Sequence, residues 1–122
     1  MIPFLIELTK EFKKVCKESY LEINTSEKVI YPYLTFSYSS EMLENKREGF
    51  YIEVDIFDSC GADTLKLEQL TEDIRQHFLK SSILTEKVLL QFKVGSRRMI
   101  PTTNKHIKRR WLQLYCKVDW RE

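Results

Sequence analysis

The sequence predicts an α+β fold: a two-layer domain in which an antiparallel or mixed four-stranded sheet packs against two helices, in the order α-β-β-α-β-β. Three observations carry this expectation. Phe50-Tyr51-Ile52-Glu53-Val54-Asp55-Ile56-Phe57 alternates strictly, with Phe50, Ile52, Val54 and Ile56 on one face of an extended chain and Tyr51, Glu53, Asp55 and Phe57 on the other. Two stretches, one at the N-terminus and one after Asp63, repeat apolar residues at three- and four-residue steps. Alternation then returns twice in the C-terminal third, and paired strands with helices on one face make a two-layer domain.

The elements follow in order. Residues 2–22 read as an amphipathic helix with Leu5, Leu8, Phe12, Val15, Cys16 and Ser19 inward and Lys10, Glu11, Lys13, Lys14, Lys17 and Glu18 in water. Pro3 suits a first helical turn, where a missing N–H costs nothing. Asn24-Thr25-Ser26 supplies turn-forming side chains, and Pro32 keeps Tyr31 extended. Leu34, Phe36 and Tyr38 alternate along a first strand. Ser39 to Gly49 is polar and reads as a linker that projects from the body, joining this strand to an antiparallel partner at Phe50–Ser59.

Ser59-Cys60-Gly61-Ala62-Asp63 is a turn, and Asp63 or Thr64 can cap the next helix. That helix points Leu67, Leu70, Ile74 and Phe78 inward, with Thr71 and His77 flanking. Val88, Leu90, Phe92 and Val94 define a third strand that Gly95-Ser96 ends or bends. Residues 97–106 read as a basic connection, and the last strand runs from about Lys108 to Trp120.

The 122 residues have the length of one domain with one core, residues 1–122. Hydrophobic content of 43% with three glycines and three prolines argues against disorder. No apolar run approaches the roughly 20 residues of a membrane helix. Met1-Ile2-Pro3-Phe4-Leu5-Ile6 lacks a basic leader and is interrupted by Glu7, so it is not read as a signal peptide. The three cysteines, Cys16, Cys60 and Cys116, lie too far apart in sequence for a zinc knuckle and read as reduced thiols in a cytosolic setting.

A net charge of +2 hides an asymmetry. Between Lys87 and Val118 there are nine basic residues (Lys87, Lys93, Arg97, Arg98, Lys105, Lys108, Arg109, Arg110 and Lys117) and no acid, so the remainder is strongly acidic. Such a split suggests an acidic partner, or self-assembly in which the basic region of one copy meets the acidic region of the next.

No active site is offered. Glu53 and Asp55 share a strand face, with Asp58 near its end, but neither histidine is placed beside them; a solvated or interface face explains alternating acids more simply. His77 falls on a helix flank and reads as core-edge packing. His106 lies in the basic connection, where it is either solvated or in reach of a phosphate or carboxylate. There is no nucleophile motif, phosphate loop, dinucleotide fingerprint or cofactor signature. The segment from Arg97 to Trp111 stands out instead. Clustered Arg and Lys beside aromatics serve a protein interface, a nucleic-acid contact or merely a solvated loop.

Tyr31-Pro32-Tyr33-Leu34-Thr35-Phe36, then Tyr51-Ile52-Glu53-Val54-Asp55-Ile56-Phe57-Asp58, then Leu67-Glu68-Gln69-Leu70, then Lys108-Arg109-Arg110-Trp111-Leu112 form a succession that covers most of residues 30–120. It resembles the small tail-completion proteins of tailed bacteriophages and prophages, the tail terminator or tail-to-head joining group. The resemblance implies a structural virion protein without catalysis or cofactor. It implies a homo-oligomeric ring, typically a hexamer, that caps the last ring of the tail tube protein and stops its polymerisation. The ring meets the head connector and neck proteins, and DNA passes through the bore without sequence specificity.

The implied location is the tail–head joint of the virion, reached from the cytoplasm of the bacterial host. A head-closure protein of the same joint, or a small nucleic-acid-binding module using residues 97–110, are the alternatives. On this expectation Arg97, Arg98, Lys105, Arg109 and Arg110, with Glu44, Lys46 and Arg47 of the polar linker, face a neighbouring subunit or the channel.

Overall fold

The computed structural model describes residues 1–121 and corrects the expected four-stranded sheet. Two helices, α1 (Ile2–Val15) and α2 (Leu65–Leu79), cover one face of a curled, half-barrel-like sheet of six strands. The strands are β1 (Ser19–Leu21), β2 (Tyr33–Glu44), β3 (Arg47–Ser59), β4 (Ser82–Leu84), β5 (Val88–Ile100) and β6 (Ile107–Trp120), so the order along the chain is α-β-β-β-α-β-β-β. Across the sheet they run β1-β2-β3-β6-β5-β4. The β1–β2 pair is parallel and every other pair antiparallel.

The two extra strands are three residues each, and the first of them lies within the stretch expected to be helical. Helix α1 stops at Val15 rather than near Glu22. Cys16 turns to an extended conformation, and the buried Ser19 hydroxyl donates to the Cys16 carbonyl at 2.6 Å, satisfying a helix-end acceptor. The chain is thereby delivered as β1 alongside β2, where the Leu34 amide donates to the Glu18 carbonyl at 2.9 Å. On the other side, Ser82–Leu84 pairs with Leu89–Gln91 as β4.

Two long strands exceed their expected lengths. The polar stretch expected to be a projecting linker is the far half of the β2–β3 hairpin, closed by Asn45-Lys46 with Lys46 at φ 65°. Strand β5 does not end at Gly95-Ser96. A bulge between Val94 and Arg97 absorbs one extra residue, and the strand continues to Ile100. Arg97 and Arg98 therefore belong to a strand, and the irregular connection shrinks to residues 101–106.

The core is one phenylalanine-rich cluster between helices and sheet. Phe12 of α1 stacks on Phe36 of β2 at 4.6 Å between centroids and meets Phe78 of α2 at 4.8 Å; Phe78 meets Phe92 of β5 at 4.9 Å. Phe4 packs on Phe50 of β3 at 4.2 Å. Phe4, Phe12, Phe50 and Phe78 are completely buried, each contributing roughly 1.5–3 kcal/mol of transfer free energy. The inward alternation Phe50, Ile52, Val54, Ile56 is as expected, and Leu112, Leu114, Cys116 and Val118 meet it from β6.

The inward face of α1 is rotated from expectation. Phe4 is buried, and Glu11, expected in water, is only 7% exposed. Its carboxylate lies 2.6 Å from Lys14 Nζ and 2.9 Å from His77 Nε2, so it ties α1 to α2. Burial raises the Glu11 pKa, but the hydrogen bonds from Lys14 and His77 more than reverse this, and the carboxyl sits below the ordinary carboxylate range. A folded-state pKa below the unfolded one adds stability that is present above the unfolded value and lost as pH falls through the folded one. Thermal unfolding measured from about pH 6 down to about pH 3 should show a steeper loss for the native chain than for Glu11→Gln. Equal slopes would assign acid sensitivity to other carboxylates.

Candidate functional site

The sheet is covered on one face only, and the face opposite the helices is built by register. Odd-numbered residues of β2, β3 and β6 fall on it, in rows across the strands. One row is Tyr33, Phe57 and Arg109; the next is Thr35, Asp55, Trp111 and Arg98; another is Ser39, Tyr51, Tyr115 and Lys93. The bulge in β5 sets the last position of the second row. By shifting the alternation one residue, it turns Arg98 to this bare face and Arg97 to the helix face.

The arginine doublets are consequently split. Arg97 reaches Glu72 of α2 at 2.7 Å, and Arg110, 7% exposed, pairs with Glu68 of α2. On the bare face, Arg109 binds Asp55 at 2.7 Å and lies 5.5 Å from the Phe57 centroid, and Arg98 stacks over Trp111 at 4.5 Å. At the hairpin tip Arg47 bonds Asp119 of β6 and Glu44 at 2.9 Å. Three of the nine basic residues between Lys87 and Val118, namely Arg97, Arg109 and Arg110, are therefore paired with acids within the chain. Arg97 of β5 and Arg110 of β6 meet acids of helix α2.

Lys93, Arg98 and Lys117 remain on the bare face without an acidic partner among the described residues. Lys105 and His106 lie in the exposed 101–106 connection, where the His106 amide donates to Asn104 Oδ1 at 2.9 Å. Lys108 sits opposite Asp58 at the start of β6. Lys46 lies in the hairpin turn, where its carbonyl accepts from the Trp120 amide at 2.8 Å. The expected positions thus divide into three: the bare face (Arg98, Arg109), the α2 side (Arg97, Arg110), and the two ends of the sheet (Glu44, Lys46, Arg47, Lys105).

The outward aromatics of the strands, Tyr33, Tyr51, Phe57, Trp111 and Tyr115, share this face, and the register brings two of them together. Tyr51 and Tyr115 sit 5.0 Å apart, and both hydroxyls point toward the Glu41 carboxylate, at 3.5 and 3.4 Å. Gly49 makes room for this pair, because a Cβ there would stand 2.0 Å from the Tyr115 hydroxyl oxygen. Burial and then Glu41 raise the Tyr115 pKa, so the phenol is neutral and available as a donor. The signal was present as alternation, since both tyrosines fall on outward positions of their strands.

Other reactive groups are placed as follows. Glu53 and Asp55 do share the bare face, with Asp55 held by Arg109. Cys16 and Cys116 are buried, and burial pushes the Cys116 thiol up to about 12; Cys60 is the more accessible thiol. No group of three or more His, Cys, Asp or Glu among the described residues could hold a metal ion. No helix among them is long and apolar enough to cross a membrane. The clefts are open surface features; one, between α2 and the end of β5, is lined by Glu68, Thr71, Arg97, Arg98, Met99 and Arg110.

Comparison of the chain with family models and with curated proteins finds no match.

The split of the arginines is testable. Arg110→Glu would place a buried carboxylate against Glu68 and should destabilise the fold by roughly 3–5 kcal/mol in denaturant unfolding. Arg98→Glu, on an exposed face, should stay within about 0.5 kcal/mol. Equal effects would mean that the bulge does not set the two side chains apart.

Proposed function

We propose that this chain is a structural assembly protein that forms a homo-oligomeric ring at the tail–head joint of a tailed phage or prophage virion. The ring caps the tail tube and meets the head connector. The observation that supports this reading is the one-sided sheet. A single core is sealed by two helices, and the opposite face is left as a broad mosaic of aromatic rings, ion pairs and uncompensated cations.

Such a surface is suited to recognition by area. Tyr, Trp and Arg supply large contacts with little ordering cost, and Tyr51, Tyr115, Trp111 and Arg98 all stand on rigid strands. The same face suits passing DNA. Lys93 and Lys117 offer phosphates a sequence-independent attraction, while Glu53 keeps the surface from gripping tightly. A bore that DNA must traverse needs weak, non-specific contact. The resemblance of residues 30–120 to tail terminators supports setting this surface in a virion.

The test is complementation in a phage or prophage whose own copy is deleted. Lys93→Glu with Lys117→Glu should leave thermal unfolding unchanged and lower the yield of joined particles at least roughly tenfold. Full complementation by this variant would count against the reading. The isolated chain should also bind duplex DNA weakly. Tight binding that weakens steeply and log-linearly with salt would move the function to a nucleic-acid module instead.

A further inference from the structure

The two outer strands of the sheet are each only partly covered. Strand β2 is paired by β1 along Leu34–Phe36, and its outer edge is bare from Tyr38 to Glu44. Strand β5 is paired by β4 along Leu89–Gln91, and its outer edge is bare beyond the bulge, over Arg97–Ile100. A bare strand edge presents unpaired N–H and C=O groups, and proteins cover it or use it. Here the covers stop short at opposite ends of the sheet.

We infer that these two bare edges pair with each other between neighbouring copies, the β2 edge of one chain against the β5 edge of the next. This rests on the ring reading above and specifies its contact. Four observations on the edges support it.

The directions agree. β2 and β5 run antiparallel within one sheet, so copies placed side by side around a ring bring them together as an antiparallel pair. The hydrogen-bonding phases agree as well. Phe36 accepts from Glu22 of the β1 side, so the amides and carbonyls of Tyr38, Ser40 and Met42 also point outward. Val88 accepts from Thr85 of the β4 side, and the one-residue bulge moves the outward set to Arg97 and Met99.

Setting Ser40 opposite Met99 and Met42 opposite Arg97 matches outward groups to outward groups. It also places Glu41 opposite Arg98 on the bare face, so charges complement. Met42 and Met99 are 75% and 71% exposed in the single chain, and this contact would shield both.

The geometry also closes. In this register Glu41 of one copy meets the row that holds Arg98 and Thr35 in the next, a stagger of about six residues or ~20 Å along the strand. Four full-length strands at ~4.8 Å spacing make each copy ~19 Å wide. The resulting strand tilt, about 45°, falls at the upper end of the roughly 35–45° range of closed barrels. The short strands do not interfere, because β1 and β4 each lie beyond the end of the neighbouring strand. A closed ring of this kind would cover the bare stretches of β2 and β5.

The test uses the full-length chain with Cys60→Ser, oxidised under mild conditions. Ser40→Cys with Met99→Cys in one chain should give a ladder of disulfide-linked oligomers ending at the ring size, whereas either substitution alone gives dimers at most. Glu41→Arg and Arg98→Glu should each weaken the oligomer, and the two together should restore it, as read by native mass spectrometry. A native oligomer that forms without the ladder and is indifferent to the charge swap would overturn the edge contact while leaving the ring intact. A chain that stays monomeric across the concentration range would overturn the ring reading and the contact with it.

Discussion

Everything in this molecule depends on the sheet being sealed from one side. The seal is the phenylalanine cluster in which Phe12 and Phe78 lock α1 and α2 together over Phe36 and Phe92. Because the helices satisfy the hydrophobic demand of one face completely, the other face is free of any packing duty. Its residues answer to different constraints: Arg109 holds Asp55, Arg98 stacks on Trp111, and Tyr51 and Tyr115 share a carboxylate. Core and surface are thus separated by the two-residue period of the strands.

The β5 bulge is the smallest feature with the largest consequence. One extra residue between Val94 and Arg97 decides which arginine of an adjacent pair serves the fold and which faces outward. On β6 the ordinary alternation does the same for Arg109 and Arg110. A basic segment that looks like one binding patch in sequence is therefore two layers. One braces α2 through Glu68 and Glu72, and the other belongs to the bare face. Part of the charge imbalance along the chain is a folding device, in which Arg97 of β5 and Arg109 and Arg110 of β6 are matched to acids on α2 and β3.

What was legible in the sequence follows the same physics. The inward residues of β3, β5 and β6 announced themselves because burial on one side imposes alternation. The six-strand count did not, because β1 and β4 are three residues long and carry no period of their own. The distal half of β2 is exposed on both faces, so its polar Ser39–Glu44 looks like a loop. Its strand conformation comes from pairing across the hairpin with β3, where Ser39 meets Tyr51 and Glu44 meets Arg47. Glu11 was placed in water by its charge, and only the arrival of His77 from α2 explains its burial. The bare face was half legible: its residue types were plain, but the pairing of Tyr51 with Tyr115 and the split of the arginines needed the register.

We propose that this wide, rigid face serves recognition, in a ring at the tail–head joint. The most direct measurement is electron microscopy of particles produced by the parent phage or prophage after deletion of this gene. The account predicts tails of abnormal length that remain unjoined to DNA-filled heads. Tails of normal length beside emptied heads would shift the chain to the head side of the joint, and complete, normal particles would contradict the account.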